Sequence, residues 1–361
     1  MSEKILMKGT EAVAEAAARA GCRFFAGYPI TPQNEMPEYM SRRMPEVGGV
    51  FIQGESEVAS VNMLFGAAAA GVRCMTSSSS CGIALKSEGI AFLAGARMPS
   101  VIANFQRGGP GIGDIKPAQQ DYFQATKAAG NGGFQMLVLA PCSVQEAVDM
   151  TFRSFELADK YRMPTYLLLD GMIGAMMEPV YFPEPVSEEE VKRIRESKTY
   201  AARGRKGGKF HQIQCGPGLD PNINQEELNI KDMAMYEQWQ RDEVEYEMDV
   251  PEDSELILTG YGSSGRIAKS ALQILRKEGY KVGFIRPLKV NPFPFEAFEK
   301  LNYEKLRGIV VAEMSIPPQY GVDVQHAVHG RTKIEMALSS GGQILERSLV
   351  LETARKLYGE K

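Results

Sequence analysis

The strongest constraint on the fold is a regular alternation of apolar strand patterns and amphipathic helix patterns between residue 9 and about residue 170. Apolar runs such as CRFFAGY, PSVIANFQ and TYLLLD predict buried strands, and helical segments such as SVQEAVDMTFRSFELADKYR lie between them. Apolar strands that alternate with helices form parallel sheets covered on both faces. The pattern therefore predicts an α/β fold with a parallel sheet and helices on both faces.

The alternation stops after residue 170 and resumes near Glu255. The intervening stretch is polar and mixed in charge, which predicts a linker with short helices lying over a neighbouring surface. From Glu255 onwards, strand and helix patterns predict a second, smaller α/β unit. We therefore expect a first domain at 1–180, an irregular linker at 181–252 and a second domain at 253–361.

Composition narrows the class of protein. The 361 residues carry a net charge of −4 and no basic run, which argues against a nucleic-acid partner. The N-terminal segment lacks the apolar core of a signal peptide, and no apolar stretch approaches the ~20 residues of a membrane span. We therefore expect a cytoplasmic protein without a membrane partner. The five cysteines are scattered and the histidines number three, so we expect no metal site in this chain.

Polar or glycine-rich segments follow four of the predicted strands in the first domain. Because the strands are expected to be parallel, these segments should meet at the carboxyl edge of the sheet, where open α/β sheets bind ligands. The four segments are YPITP (28–32), QGESE (53–57), TSSSSCG (76–82) and QRGGPGIGD (106–114).

Two of these segments offer a choice between a capping role and a role towards a ligand. The prolines around Thr31 stiffen the turn, so Thr31 is either the N-cap of a helix that begins at Pro32 or a hydroxyl held towards a ligand. Glu57 begins a helix of small apolar residues, where the helix dipole favours a carboxylate. Alternatively, Glu57 is partly desolvated and suited to sharing a proton, with Glu55 as the fallback candidate.

The other two segments, and a turn in the second domain, leave similar alternatives. The hydroxyl run at 76–80 fits a polar cap or a ligand that approaches the backbone closely. Arg107 among glycines fits a flexible loop or bidentate recognition of a carboxylate. The turn YGSSGR at 261–266 fits an anion site at a helix N-terminus or a tight turn between strand and helix.

Six motifs in one order resemble those of a known family. They are GTEAVAEAAARAG, YPITP, the ESEVAS helix start, TSSSSCGI, RGGPG and QQDYFQATK. In this order they resemble the α subunits of 2-oxoacid:ferredoxin oxidoreductases, first the type acting on 3-methyl-2-oxobutanoate and next the type acting on 2-oxoglutarate. The resemblance extends from about residue 5 to the C-terminus and is densest over 8–180.

The resemblance implies a thiamine-diphosphate enzyme that oxidatively decarboxylates a 2-oxoacid to an acyl-CoA and reduces ferredoxin. It implies that this subunit supplies the pyrimidine-binding domain and a transketolase C-terminal-like domain. A partner β subunit would hold the diphosphate and Mg²⁺, and ferredoxin-like γ and δ subunits would carry [4Fe–4S] clusters. Coenzyme A and ferredoxin would be the other reactants.

The resemblance also implies roles for individual residues. Glu57 matches the glutamate that hydrogen-bonds N1′ of the aminopyrimidine and so promotes loss of the thiazolium C2 proton. Thr31 and Arg107 match residues that bind the substrate, and Arg107 would pair with its carboxylate. The predicted cofactor-binding residues besides Glu57 are Pro29, Ser79 and Ser80.

The chain departs from the family pattern at Cys81, where relatives often have proline, and at Asn131, where they commonly have histidine. Two alternatives from other classes stay open at this point. One is a non-catalytic scaffold subunit of such a complex, and the other is a dehydrogenase that binds a dinucleotide at the 261–266 turn.

Overall fold

The alternation of strands and helices builds two parallel sheets and one short strand pair in the computed structural model, which describes residues 4–204, 210–217 and 222–359. The first sheet runs in the order β13-β7-β8-β5-β4-β2-β3. Its neighbouring strands are parallel, except that β13 is antiparallel to β7. These strands are β2 (Phe24–Gly27), β3 (Val50–Gln53), β4 (Cys74–Ser78), β5 (Ser100–Gly108), β7 (Leu137–Leu139), β8 (Pro164–Asp170) and β13 (Lys289–Asn291), with β6 (Asp114–Pro117) paired to the end of β5.

Helices cover both faces of this sheet, as the sequence predicts. Neighbouring residues of β5 illustrate the arrangement, because Ile102 belongs to one buried cluster and Ala103 to another. This alternation follows from the period of two along a strand. The helices of this region are α1 (Gly9–Arg19), α2 (Glu35–Glu46), α3 (Glu57–Ala69), α4 (Cys81–Gly95), α5 (Tyr122–Thr126), α6 (Val144–Tyr161) and α7 (Gly171–Ala175).

The polar stretch after residue 170 contains more regular structure than the sequence indicates. Its strand β9 (Met177–Val180) pairs with the N-terminal strand β1 (Ile5–Lys8). Two helices follow, α8 (Glu188–Ser197) and α9 (Gln225–Asp242). The expectation of short helices is wrong for α9, which has 18 residues and is anchored by the buried Trp239. The boundaries at 180 and 253 stay predictions.

The second sheet has the order β10-β12-β11-β14-β15 and is parallel apart from β10. Its strands are β10 (Tyr246–Asp249), β11 (Leu256–Thr259), β12 (Val282–Pro287), β14 (Gly308–Glu313) and β15 (Lys333–Leu338). The helices of this unit are α10 (Gly262–Lys277), α11 (Phe295–Glu299), α12 (Tyr320–Val328) and α13 (Arg347–Gly359). None of the helices in the described ranges has both the length and the apolar character needed to cross a bilayer.

A buried carboxylate joins the two units. Asp170, the last residue of β8, accepts hydrogen bonds from the backbone N–H of Ser263 at 3.0 Å and from its hydroxyl at 2.6 Å. It also accepts the N–H of Ile173 at 3.1 Å. Burial raises the pKa of Asp170, and these donors act in the opposite direction. The N-terminus of α10 is therefore capped by a carboxylate from the first unit.

This contact supports the structural interpretation of the turn at 261–266. Asp170 occupies the Ser263 N–H and hydroxyl, and the Ser264 hydroxyl donates to Gln119 at 2.6 Å. All of these groups are buried. The N–H and hydroxyl groups that could bind a phosphate here already donate to acceptors within the protein. The structure therefore favours the interpretation of residues 261–266 as a tight turn over that of a dinucleotide site.

Replacing Asp170 by alanine is expected to lower the free energy of unfolding by about 3 kcal/mol or more. The change leaves two N–H groups and one hydroxyl buried without acceptors, at a cost of about 1–3 kcal/mol each. Urea unfolding of the full chain measures the loss. Asp242→Ala, at an exposed position near the end of α9, is the control and should stay within about 0.5 kcal/mol of wild type. Equal stability of the two variants would contradict the role of Asp170 as a link between the units.

Candidate active site

The four polar segments lie on adjacent strands at one edge of the first sheet. The strands β5, β4, β2 and β3 are neighbours in that order and are parallel. Their carboxyl ends therefore share one edge, as predicted. The segments bring Thr31, Glu57, the serines at 77–80 and Arg107 to this edge.

Glu57 is buried at the first position of α3 and is free of a capping duty. Ser56 is the N-cap, and its hydroxyl accepts the N–H of Ala59 at 3.1 Å. Glu57 is only 5% exposed, whereas Glu55 is exposed. The Glu57 carboxylate accepts no hydrogen bond from any residue within the described ranges. A buried carboxylate without donors is costly, so this site favours a ligand that supplies one.

The absence of a side chain at Gly82 makes room for the Glu57 carboxylate. A Cβ at Gly82 would lie 2.6 Å from Glu57 Oε1 and 2.1 Å from the Ser78 hydroxyl. The Ser78 hydroxyl is fully buried and has no hydrogen-bond partner within the described chain. Two unpaired oxygens, one carboxylate and one hydroxyl, thus flank the same turn of α4.

Ser79 and Ser80 use their hydroxyls within the protein. The Ser79 hydroxyl donates to the carbonyl of Phe105 at 2.7 Å. The Ser80 hydroxyl donates to Asp121 at 2.6 Å and accepts the backbone N–H of Arg107 at 2.9 Å. These serines therefore fix the backbone of β5 beside the site, and the prediction that they bind the cofactor stays open.

Ser80 has a backbone conformation that L-residues rarely adopt, with φ of +33°. Its N–H donates to Asn104 at 3.0 Å, and Asn104 donates to the same Asp121 carboxylate at 2.9 Å. Burial raises the pKa of Asp121, and the Ser80 and Asn104 hydrogen bonds oppose that effect. Such conformations persist where the surroundings over-determine them, and they are common at functional sites.

Arg107 is a buried cation without a carboxylate partner. It is 5% exposed, and its guanidinium donates to the carbonyls of Thr31 at 3.0 Å and Ile112 at 3.1 Å. A third contact is with Cys81 Sγ at 3.1 Å, while the Arg107 Nε atom is buried and unpaired. Within the described residues, no Asp or Glu oxygen lies within 4.0 Å of this guanidinium. The site is therefore suited to an anionic ligand.

Thr31 is not a helix cap, so the capping alternative for this residue is wrong. Helix α2 begins at Glu35, and its N-cap is Asn34. The N–H of Gln33 donates to the carbonyl of Ile30 at 3.0 Å, so residues 30–33 form a turn before the helix. This turn places Thr31 against Arg107, and Pro29 is exposed at the same edge.

One charged residue at the site was not predicted from the sequence. Lys86 on α4 is completely buried, and its ammonium donates to the Thr76 hydroxyl at 3.1 Å and to the Glu57 carbonyl at 3.4 Å. The surroundings of Glu57 therefore include a buried cation as well as the small apolar residues that follow it in α3. The available signal was a single lysine within the otherwise apolar, small-residue helix CGIALKSEGIAFLAG.

A cavity of about 500 Å³ lies at the opposite edge of the same sheet. Its walls include Phe24 and Val50, which are the first residues of β2 and β3. Val191 and Ile194 of α8 also line it. None of the predicted site residues lines this cavity. The candidate site is thus defined by its unpaired buried groups and not by cavity size.

Family models match nearly the whole chain. Residues 15–248 match the model described as pyruvate flavodoxin/ferredoxin oxidoreductase, thiamine diphosphate-binding. Residues 254–350 match the model of pyruvate:ferredoxin oxidoreductase core domain II. The first of these matches alone covers more than half of the chain.

Curated relatives have similar length. The chain is 42% identical over 355 residues to the ketoisovalerate oxidoreductase subunit VorB of Methanothermobacter thermautotrophicus, with 98% of each chain covered. It is 33% identical to the 2-oxoglutarate synthase subunit KorA of Methanocaldococcus jannaschii, with 96% of this chain and 98% of the relative covered.

A solved structure has a similar fold. It is 2-oxoglutarate:ferredoxin oxidoreductase from Magnetococcus marinus with 2-oxoglutarate, coenzyme A and succinyl-CoA bound, at a TM-score of 0.83 and 25% identity. The match covers 99% of this chain but 65% of the solved chain. Together with the family models and the curated relatives, this match shows that the chain belongs to the 2-oxoacid:ferredoxin oxidoreductase family and carries its thiamine-diphosphate-binding domain.

Proposed function

We propose that this chain is the α-type subunit of a thiamine-diphosphate-dependent enzyme that oxidatively decarboxylates a 2-oxoacid to an acyl-CoA and reduces ferredoxin. The observation that carries the proposal is a buried carboxylate, Glu57, and a buried guanidinium, Arg107, at one sheet edge, neither of which forms an ion pair with any residue in the described ranges. The relatives named for ketoisovalerate and 2-oxoglutarate favour one of these two 2-oxoacids as the substrate.

The unpaired groups around Glu57 fit the pyrimidine end of thiamine diphosphate. Glu57 would hold a proton at a carboxylate oxygen facing the pyrimidine nitrogen N1′, and the Ser78 hydroxyl would supply a second polar contact. Pro29, Ser79 and Ser80 would shape the walls. When bound, the cofactor supplies a nucleophilic carbon that adds to the 2-oxoacid. Glu57 contributes by exchanging the proton on which that activation depends.

The groups around Arg107 fit the carboxylate end of the substrate. The guanidinium is already oriented by the carbonyls of Thr31 and Ile112, so binding requires little further ordering. Its unpaired Nε would gain an acceptor from a substrate carboxylate. The Thr31 hydroxyl would be a second, weaker contact to the same end of the substrate.

The remaining chemistry is assigned to partner chains, because the relatives are named as subunits. No group of three or more His, Cys, Asp or Glu suited to a metal occurs among the described residues. We infer that a β-type subunit holds the diphosphate and Mg²⁺, and that ferredoxin-like γ and δ subunits carry the [4Fe–4S] clusters that pass electrons to ferredoxin. Coenzyme A would enter as the acyl acceptor.

The surface beside the site supports such a partner. Helices α3 and α4 are apolar on nearly all sides, and α3 starts at Glu57. Their large apolar residues that are exposed are Val58 at 45%, Leu85 at 56% and Phe92 at 48%. An apolar helix surface next to a half-complete site is typical of an interface. We propose that the β-type subunit covers this surface.

The test is reconstitution with the partner subunits. The full chain alone is expected to be colourless and inactive and to bind thiamine diphosphate weakly. Co-expressed with the partner subunits, it should give an active complex in an assay with ketoisovalerate or 2-oxoglutarate, coenzyme A and a viologen dye. An iron–sulfur absorption band from the chain alone, or no turnover of any 2-oxoacid by the complex, would contradict the proposal.

A further inference from the structure

Lys86 is a buried charge that the fold itself does not explain. Its side chain is 0% exposed, and within the described chain no carboxylate oxygen lies within 4.0 Å of its ammonium. The two acceptors present, the Thr76 hydroxyl and the Glu57 carbonyl, are both uncharged, and they leave one N–H of the ammonium unassigned. Buried lysines are rare unless they are paired.

The position of Lys86 connects it to Glu57. Gly82, against which the Glu57 carboxylate packs, lies four residues earlier on α4, so Gly82 and Lys86 are neighbours on one helix face. The Lys86 ammonium also donates to the backbone carbonyl of Glu57 at 3.4 Å, so it contacts the first residue of α3 directly. The ammonium therefore faces Glu57 from α4, and the Thr76 hydroxyl faces it from β4.

The charge on Lys86 costs the fold stability. Burial lowers the pKa of Lys86 from 10.5 to about 8, and Glu57 partly opposes this effect. The folded chain thus binds this proton less tightly than the unfolded chain does. The free energy of unfolding therefore rises with pH through the window from about 8 to 10.5, and the charged lysine is destabilising below it. A residue kept at such a cost beside a catalytic carboxylate points to a task other than stability.

We propose that Lys86 is a positioning residue whose ammonium, through the Glu57 carbonyl, holds the start of α3 in place and balances the charge of the Glu57 carboxylate while Glu57 exchanges its proton. The inference rests on the proposed role of Glu57. The proton would move between a Glu57 oxygen and the pyrimidine nitrogen, and Lys86 would keep its own proton throughout. Loss of the Lys86 charge should therefore impair turnover without impairing the fold.

The first experiment tests whether Lys86 stabilises the fold or serves only to position Glu57. It measures the unfolding of the full chain in urea at pH 7. Lys86→Met is expected to be at least as stable as wild type, because a buried charge is replaced by an apolar chain of similar length. Lys289 is the matched control, since it is equally buried but contacts Glu243 at 2.6 Å. Lys289→Met should be less stable than wild type, because Glu243 loses a partner.

The second experiment measures turnover in the assembled complex. Lys86→Met is expected to lose at least 10-fold in kcat, with a smaller change in the KM for the 2-oxoacid. Wild-type turnover should fall as the pH rises through about 8, where Lys86 loses its charge, and the variant should lack this alkaline fall. Lys86→Met combined with Glu57→Gln should be no slower than Glu57→Gln alone, since both changes act on one group.

Failure of the positioning role of Lys86 can be distinguished from failure of the proposed enzymatic function. If the wild-type complex turns over no 2-oxoacid, the proposed function fails, and the unfolding comparison still stands. If the wild-type complex is active and Lys86→Met keeps its rate and its alkaline fall, the positioning role is overturned. If the Lys86→Met chain is less stable than wild type, Lys86 has a structural role, and the proposal is likewise overturned.

Discussion

Glu57→Gln in the assembled complex is expected to reduce turnover by ~10²–10⁴-fold, the usual range for lost general acid–base help. Glutamine has nearly the same size and keeps a carbonyl oxygen beside Gly82, so packing and cofactor binding should change little. It cannot exchange a proton with the pyrimidine nitrogen. Exchange of the thiazolium C2 proton into deuterated water should therefore slow in parallel with turnover.

Glu55→Gln is the matched control for this prediction. Glu55 lies two residues earlier and is exposed, so its replacement should leave both rates near wild type. Normal C2 exchange in Glu57→Gln together with slow exchange in Glu55→Gln would show that the assignment is off by two residues. If neither variant slows exchange, this chain does not activate the pyrimidine.

Arg107→Ala is expected to lower kcat/KM for the 2-oxoacid by about 10- to 150-fold. This range corresponds to the roughly 1.5–3 kcal/mol of a hydrogen bond to a charged group, provided that the contact persists in the transition state. Arg107→Lys should recover only part of the loss, because lysine lacks the planar fork of donors. Steady-state kinetics over a range of 2-oxoacid concentrations provides the measurement.

Two further variants test whether the loss of kcat/KM is particular to Arg107. Arg355→Ala is the control. Arg355 lies on α13 and pairs with Glu278 on the surface, so its loss should leave the kinetics unchanged. Thr31→Val should give a smaller loss than Arg107→Ala, because the Thr31 backbone carbonyl that orients Arg107 is retained. Wild-type kinetics in both Arg107 variants would place this residue outside the substrate site.

Much of the site could be predicted because its residues follow strands whose apolar character is strong. The runs before Thr31, Glu57 and Arg107 are short and apolar, so their parallel pairing and their common edge follow from general rules of α/β folds. The burial of Glu57 followed from the small apolar residues after it. The resemblance to 2-oxoacid:ferredoxin oxidoreductases then supplied the chemistry, which no single motif specifies.

Other features depend on tertiary contacts that local patterns do not encode. Helix α2 begins at Glu35 and not at Pro32, as the capping alternative for Thr31 required. Gln33 is held in a turn before the helix, and its side chain accepts a hydrogen bond from Ser77 at 2.5 Å. Lys86 was missed because a lysine in a helix is normally solvent-exposed. Strand β9 was missed because its partner, β1, lies at the other end of the first domain.

The strand β13 has a consequence for the order in which the chain can be completed on the ribosome. It covers the edge of β7, yet its residues 289–291 follow β8 by more than a hundred positions. At usual rates of ~5–20 residues per second, translation of that interval takes on the order of ten seconds. During this time the nascent first sheet has an uncovered edge at β7, the kind of edge that recruits other chains. A gene truncated after residue 252 would make that transient exposure permanent.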